Sequence, residues 1–281
     1  MRSADTAPPG HHPIVRAIAT IVVALVVLIP FLWTLITSLK PKDQVLTFPP
    51  VFIPWPPTLS NYLAVIESGF PRYLLNSTIV AVSTVIIVVI VAVHAGYAVA
   101  RYEFRGKSLM LFVILSGMAM GEFSAVLPLY FFGSKMHILD TYGVLVLANS
   151  AFIAPLAIWF LQGFFRSIPP QIEEAAMIDG TSRLGALYRV VLPAAMPGLV
   201  TVSLITFVAS WNEFILALVL TTSGSMRTAP VGLHLFMTDY GVEWGSLTAA
   251  GILCILPVLV LFLLLQRYFV RGLTAGATSG F

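Results

Sequence analysis

Charged side chains are scarce in this 281-residue chain, and their scarcity excludes an ordinary soluble domain. They make up 10% of the residues, against roughly 25% in soluble proteins. Hydrophobic residues make up 58%, and the mean hydropathy is +0.95. The net charge of +3 does not indicate a nucleic-acid partner, because the Lys and Arg residues lie between apolar runs and form no basic stripe. The composition predicts a membrane protein.

Cysteine is nearly absent, and so is any phosphate-binding loop. The single cysteine, Cys254, lies in an apolar run, so the chain forms no internal disulfide and no cysteine-based metal site. The nearest match to a Gly-x4-Gly-Lys-Ser/Thr loop is Gly106-Lys107-Ser108, and Arg101 stands where the first glycine is needed. We therefore expect that this chain hydrolyses no ATP, binds no cofactor or metal and has no catalytic residue.

Long apolar segments are what the sequence has in abundance. A bilayer core about 30 Å thick is crossed by roughly 20 mostly apolar residues, and a lone segment satisfies its backbone groups there only as a helix. Ala92, Gly96 and Ala100 place a small residue every four positions, which predicts close helix packing. The sequence predicts an all-α fold with six transmembrane helices, near residues 14–39, 73–100, 109–132, 143–165, 198–221 and 247–269.

The distribution of Lys and Arg indicates the orientation. With the N-terminus inside, ten of the 15 Lys and Arg residues fall on the cytoplasmic side, which favours two cytoplasmic termini but leaves the opposite topology open. Prolines in the first outside connection predict an irregular or extended loop. The predicted organisation is a tail at 1–13, a first helix at 14–39, an extracytoplasmic loop at 40–72, a core at 73–270 that includes a cytoplasmic loop at 166–197, and a tail at 271–281.

The 166–197 loop contains the signals of two short helices. Pro170 suits a first helical turn, and Glu173 and Glu174 place negative charge where the helix dipole favours it. Gly180 can supply the left-handed residue that ends this helix. The next helix is predicted to begin after Thr181-Ser182, with a cap from these side chains. Its apolar stripe consists of Leu184, Leu187, Tyr188 and Val191, and Leu192-Pro193 is expected to stop it.

The first of these helices presents a face of small and apolar residues, formed by Ile172, Ala175, Ala176 and Asp179. Such a surface favours docking of another protein. The competing interpretation is a helix that lies on the lipid surface, which would normally carry more Lys and Arg on its polar face. The docking interpretation is the stronger of the two.

Part of this loop resembles the EAA motif, which marks the permease subunits of binding-protein-dependent ABC importers. The resemblance rests on Glu174, Ala175, Ala176, Asp179, Gly180, Val190, Leu192 and Pro193. Two further regions are similar to the shorter permease of the maltose-type carbohydrate importers: residues 210–214, and Gln266-Arg267 followed by residues 272–277. The similarity covers nearly the whole chain from Phe31 onward and departs from the family pattern at residues 278–281.

The resemblance implies a type I importer permease fold in a prokaryotic inner membrane. It implies a complex with a second permease, ABC ATPase subunits that use ATP and Mg, and an extracytoplasmic solute-binding protein. The solute would be a sugar or sugar-like compound, such as an oligosaccharide, amino sugar, polyol or glycerol-phosphate ester. Glu174 would pair with a basic residue of the ATPase, Gly180 would permit the turn, Pro193 would fix the exit, and the tail from Gly272 would reach toward the ATPase.

Three ionisable residues fall inside predicted spans, where such residues are costly and are candidates for function. Glu213 follows Trp211 and Asn212, a polar and aromatic cluster suited to line a sugar pathway by stacking and hydrogen bonding. Glu122 and His94 are the other two. A structural role competes in each case: an interhelical hydrogen bond for Glu213, a place at the external helix end for Glu122, and helix packing for His94.

Two other functional classes remain as alternatives. An ion-coupled secondary transporter would use Glu122, His94 and Glu213 as a proton or ion path, but it would have no reason to carry the EAA pattern. A membrane enzyme ranks last, because the sequence shows no nucleophile with a paired base and no intramembrane cluster at metal-ligand spacing.

Overall fold

The computed structural model describes residues 13–119, 121–238 and 241–278, and within them the predicted all-α fold is confirmed. The predicted tail at 1–13, apart from Pro13, and the last three residues of the tail at 271–281 lie outside the described residues. One two-residue hairpin pairs β1 (Met237–Thr238) with β2 (Gly241–Val242). The helices are α1 (Pro13–Ser38), α2 (Lys42–Val45), α3 (Ser60–Glu67), α4 (Phe70–Arg101), α5 (Lys107–Ala119), α6 (Glu122–Lys135), α7 (Tyr142–Ser167), α8 (Pro170–Ile178), α9 (Arg183–Ala186), a π-helical turn (Leu187–Val191), α10 (Leu192–Ala194), α11 (Met196–Trp211), α12 (Ile215–Leu220), α13 (Ala229–Gly232), a 3-10 turn (Leu233–Phe236) and α14 (Trp244–Thr278).

Four helices in the described part of the chain are long and apolar enough to cross a membrane. They are α1, α4, α7 and α14, and they match the first, second, fourth and sixth predicted spans. A fifth span results if Arg183–Ala194 and Met196–Trp211, which meet at 79°, are taken together. Helix α14 continues to Thr278, past the predicted end of its span. The count of six and the cytoplasmic placement of both termini stay predictions.

The third and fifth predicted spans are each divided into two helices. The third consists of α5 and α6, of 13 and 14 residues, with Gly121 in an extended conformation just before α6. Glycine is a poor helix former, so a break at this residue costs little. In the fifth, α11 ends at Trp211 and α12 begins at Ile215. Polar side chains near both breaks therefore lie at helix ends and not on the face of a continuous helix.

The described residues form two compact units, one of 13–68 and 236–253 and the other of 69–235 and 254–278. The smaller unit is organised around Asn61, which is 1% exposed. Its side-chain amide donates to the carbonyls of Ser38 and Lys40, both at 2.9 Å. The predicted irregular loop is helical at α2 and α3 and irregular between them.

The core of the larger unit is the interface between α4 and α7. Gly96 of α4 lies against the α7 backbone: an added Cβ would be 3.2 Å from the nitrogen of Gln162 and 3.2 Å from the oxygen of Ile158. Ala92 is fully buried, and Ala100 packs at the edge of the same cluster. The predicted close packing along this row of small residues is confirmed.

Replacing Gly96 with Val is expected to lower the free energy of unfolding by about 1–3 kcal/mol, the usual cost of adding carbon atoms to a packed interface. The matched control is Gly163→Val on α7, because a Cβ at Gly163 meets no atom within 4 Å. Thermal unfolding of the two purified variants in detergent checks this prediction. Equal destabilisation by both variants would contradict it.

Candidate functional site

Helix α8 has the predicted start and the predicted end. Pro170 occupies its first position, where a missing N–H costs nothing. Gly180 has φ of +86°, so the predicted left-handed residue is confirmed. The nitrogen of Thr181 donates to the oxygen of Ala176 and the nitrogen of Gly180 donates to the oxygen of Met177, both at 3.1 Å. These two bonds form a Schellman motif, which fixes the direction of the chain after α8.

The segment after α8 begins as predicted and ends differently. The Ser182 hydroxyl accepts from the nitrogen of Gly185 at 3.2 Å and caps α9. The predicted stop at Leu192-Pro193 is wrong by two residues, because the helix continues to Ala194 and the chain bends by 79° around Ala195. Pro193 lies in the last turn of this segment and has no N–H to donate to the turn before it.

The apolar stripe of this segment divides into an inner and an outer pair. Leu187 and Val191 are fully buried in the core of the larger unit. Leu184 is 61% exposed and Tyr188 is 52% exposed. The inner pair ties the segment to the transmembrane core, and the outer pair remains on the surface.

The predicted docking face of α8 is on the surface of this chain. Ile172, Ala175 and Asp179 are exposed, and Ala176 is half-buried. Ile178, at the end of α8, is 86% exposed. We call residues 166–197 the EAA segment, and we call this surface, with Glu174, Leu184 and Tyr188, its outer face. In the described residues the side-chain carboxylates of Glu174 and Asp179 have no hydrogen-bond or ion-pair partner, so both are free for an external group.

Glu173, the neighbour of Glu174, points inward instead. It is 7% exposed, and its Oε2 accepts from Arg101 Nε at 3.0 Å. The Tyr97 hydroxyl donates to its Oε1. Arg101 also donates through Nη2 to the oxygen of Ile168 at 2.9 Å, in the connection between α7 and α8. Arg101 therefore joins α4 both to the short connection before α8 and to α8 itself.

Sequence reasoning missed this contact. Tyr97 and Arg101 are four residues apart on α4, a spacing that places them on one helix face. That spacing was a usable signal, and so was the pair of adjacent glutamates. Which glutamate turns inward depends on the rotation of α8 about its axis, and that rotation is set by the packing of α8 on its neighbours and not by the local sequence.

The three residues of the predicted pathway cluster have different environments. Trp211 is 2% exposed, stacks on Phe207 with centroids 5.6 Å apart, and donates through Nε1 to the oxygen of Cys254 at 3.2 Å. Asn212 is exposed, and its amide donates to the oxygen of Val208 at 2.9 Å. Of these two, only Asn212 presents polar atoms at the surface of this chain.

Glu213 makes a local contact in place of the interhelical hydrogen bond considered for it. Its two carboxylate oxygens accept from the nitrogens of Leu216 at 2.5 Å and Ala217 at 2.9 Å, so it caps α12. It is 8% exposed. Glu122 is half-buried in the first turn of α6, and its carboxyl group lies within electrostatic range of the carboxyl group of Glu213. Helices α6 and α12 pack together, so the structure brings these two predicted pathway residues to one place.

His94 belongs to a different part of the molecule. Its Nδ1 lies 2.7 Å from the oxygen of Ile90, and its Nε2 lies 2.8 Å from the hydroxyl of Tyr188. The structure thus associates His94 with the EAA segment and satisfies both ring nitrogens by structural contacts. In the described residues no group of three or more His, Cys, Asp and Glu side chains is placed to hold a metal ion.

Comparison with known proteins identifies the family of this chain. Residues 92–275 match the family described as binding-protein-dependent transport system inner membrane component. The chain belongs to this family. The matched range contains α8, Gly180 and the break before α12, so the resemblance read from the EAA residues is confirmed.

Curated relatives cover nearly the full length of this permease. It is 37% identical to the trehalose/maltose transport system permease protein of Thermococcus litoralis, over 95% of this chain and 97% of that one. It is 34% identical to the sulfoquinovosyl glycerol transport system permease protein of Agrobacterium fabrum, over 94% and 93%. A diacetylchitobiose uptake system permease protein of Streptomyces coelicolor is 33% identical, over 90% and 84%.

A solved structure shares the fold of the permease. The crystal structure of a bacterial ABC transporter involved in the import of the acidic polysaccharide alginate contains a chain with a TM-score of 0.79. The identity is 24%, with coverage of 94% of this chain and all of that chain. This similarity supports the predicted importer permease fold.

Removing the carboxylate of Glu213 tests its role as a cap. Glu213→Leu is expected to lower the free energy of unfolding by about 1–3 kcal/mol, because two buried backbone N–H groups lose their acceptors. The control is Asn212→Leu at the exposed neighbouring position, with an expected change within about 0.5 kcal/mol. Thermal unfolding in detergent measures both, and an unperturbed Glu213→Leu variant would rule out the capping role.

Proposed function

We propose that this chain is the permease subunit of an ATP-driven importer that moves a sugar or sugar-like solute across a prokaryotic cytoplasmic membrane. Its partners would be a second permease, ABC ATPase subunits and an extracytoplasmic solute-binding protein. ATP and Mg would be used by the ATPase, and this chain would contribute no catalytic residue. The outer face of the EAA segment is the observation that carries the proposal.

The outer face supports docking on an ATPase in two ways. It combines apolar side chains exposed to water, Ile178 above all, with the unpaired carboxylates of Glu174 and Asp179. An apolar patch with acidic residues suits a partner cleft that has an apolar wall and a basic residue. The Schellman motif at Gly180 and the buried Leu187 and Val191 hold this face in a fixed position relative to the transmembrane core.

The sugar class is supported by the relatives, whose names refer to trehalose, maltose, sulfoquinovosyl glycerol and diacetylchitobiose transport or uptake. Exposed Asn212 and half-buried Glu122 lie at helix ends, where hydroxyl groups of a solute can be hydrogen-bonded. Trp211 and Glu213, which are buried, would hold the backbone of this site in position and would not contact the solute. His94, which contacts Tyr188, would not take part.

Partners in the membrane are supported by the surface of α1. None of its membrane-spanning window is buried within this chain, so its apolar residues need lipid or another subunit around them. A second permease would provide such a surface. The ion-coupled alternative loses support, because the ring nitrogens of His94 contact Ile90 and Tyr188 and neither of the two glutamates.

Reversing the charge at Glu174 tests the docking. Glu174→Lys is expected to reduce the ATPase that copurifies with the permease, because a cation would face the basic partner group. The control is Glu103→Lys, the same charge change at a side chain that is 89% exposed and, among the described residues, pairs with Lys107 alone. Equal retention of the ATPase by both variants, measured after tag purification of the coexpressed complex, would contradict this role.

Changing Gly180 tests the turn. An added Cβ at Gly180 meets no atom within 4 Å, so any penalty comes from the positive φ alone. Gly180→Val is therefore expected to uncouple the importer, whereas Gly180→Asn should be tolerated, because asparagine adopts the left-handed conformation. The measurement is ATP hydrolysis by the reconstituted complex with its binding protein and trehalose, maltose or diacetylchitobiose. Full stimulation of ATP hydrolysis in a membrane-inserted Gly180→Val variant would contradict the assignment of this turn to the coupling element.

A further inference from the structure

Arg101, the last residue of α4, makes two hydrogen bonds to the EAA segment. Its guanidinium donates to Glu173 in α8 and to the oxygen of Ile168 before α8. The side chains of Arg101 and Glu173 are 11% and 9% exposed, so water screens their attraction little. Tyr97, one turn earlier on α4, donates to the second oxygen of Glu173 and contacts Phe165 of α7 edge to face.

We propose that the buried Arg101–Glu173 ion pair is the joint through which movement of α8 is transmitted to α4. This inference rests on the proposed function, because it requires that an ATPase moves α8. Within it, two adjacent glutamates have separate roles. Glu174 faces outward and engages the ATPase, and Glu173 faces inward and holds the transmembrane helix.

The rotation between neighbouring helix residues makes this division of roles natural. Consecutive side chains of an α-helix differ by about 100° around the axis, so one of two adjacent glutamates can point to the core while the other points to the surface. When the ATPase displaces Glu174, the adjacent Glu173 is displaced with it, because less than one turn of helix separates the two residues. No bending of α8 is needed.

A buried ion pair is suited to transmit movement because positions in which its two side chains are partly separated are unfavourable. Partial separation leaves an uncompensated charge in an environment that solvates it poorly. The pair is therefore either fully formed or fully separated. Both carboxylate oxygens of Glu173 are occupied, one by Arg101 and one by Tyr97. Helix α8 therefore cannot shift relative to α4 without moving it or breaking this contact.

Helix α4 can carry the movement to its other end. It has 32 residues, which corresponds to about 48 Å at 1.5 Å per residue. At that end Asn76 donates to the oxygens of Ser225 and Arg227 at 2.9 and 2.8 Å, and the Ser77 hydroxyl accepts from the nitrogen of Ala229 at 2.8 Å. The stretch between α12 and α13 is thus attached directly to α4.

The experiment uses a reporter on α4 in the assembled complex of both permeases and the ATPase. Cys254, the only cysteine, is replaced by alanine, and a spin label is placed at Leu75, which is 58% exposed near the far end of α4. The probe is a non-hydrolysable ATP analogue with Mg²⁺. The readout is the spectral change on nucleotide addition per assembled complex, beside the amount of ATPase retained.

Glu173→Gln is expected to retain the ATPase but to reduce the reporter response by about fivefold or more, the lower bound of typical coupling between distant sites. Glu174→Gln should show the reverse, with less ATPase retained and a normal response in the complexes that form. A wild-type response in Glu173→Gln, a silent reporter in the wild type, or equal loss of ATPase by both variants would overturn the proposal.

The double variant Arg101→Met with Glu173→Gln separates transmission from stability. Removing both charges leaves no buried unpaired charge, so the thermal stability should recover relative to Glu173→Gln. The reporter response should stay low, because the joint is gone. Recovery of the response together with stability would show that the pair is only a structural contact and would overturn the proposal. Failure of the wild-type permease to bind any ATPase would instead reject the proposed function itself.

Discussion

The close packing of α4 against α7 is the contact on which the rest of the larger unit depends. At Gly96 the backbones of the two helices come so near that an added Cβ would lie 3.2 Å from α7 main-chain atoms. The same interface receives Leu187 and Val191 and thereby seats the EAA segment. Both ends of α4 also make polar contacts, with Glu173 at one end and with Ser225 and Arg227 at the other.

Broken helices place polar groups where continuous helices would not. Backbone groups freed by a break in an apolar surrounding need new partners. Glu213 meets this need with its own carboxylate, which binds two nitrogens of α12. The cost of a buried acidic residue is thereby offset, and exposed Asn212 and half-buried Glu122 are held at defined positions beside it.

Local signals in the sequence were sufficient for much of the fold. The four uninterrupted spans follow from apolar length, and Pro170, Gly180 and Ser182 identify the ends of the short helices because each meets a specific backbone requirement. The breaks in the third and fifth spans were not predicted, since the apolar runs continue through them. The inward turn of Glu173 and the contact of His94 with Tyr188 were also missed, because both depend on how α8 and the π-helical turn pack on α4.

The most direct test of the outer face is its accessibility with and without the ATPase. In a Cys254→Ala background, a cysteine at Ile178 would occupy a position that is 86% exposed in this chain. The account predicts rapid labelling of Ile178→Cys by a water-soluble maleimide in membranes that contain both permeases alone, and strong protection once the ATPase is coexpressed. Labelling at the same rate in both preparations would show that the ATPase does not cover this surface, and it would contradict the assignment of the EAA segment as the coupling site.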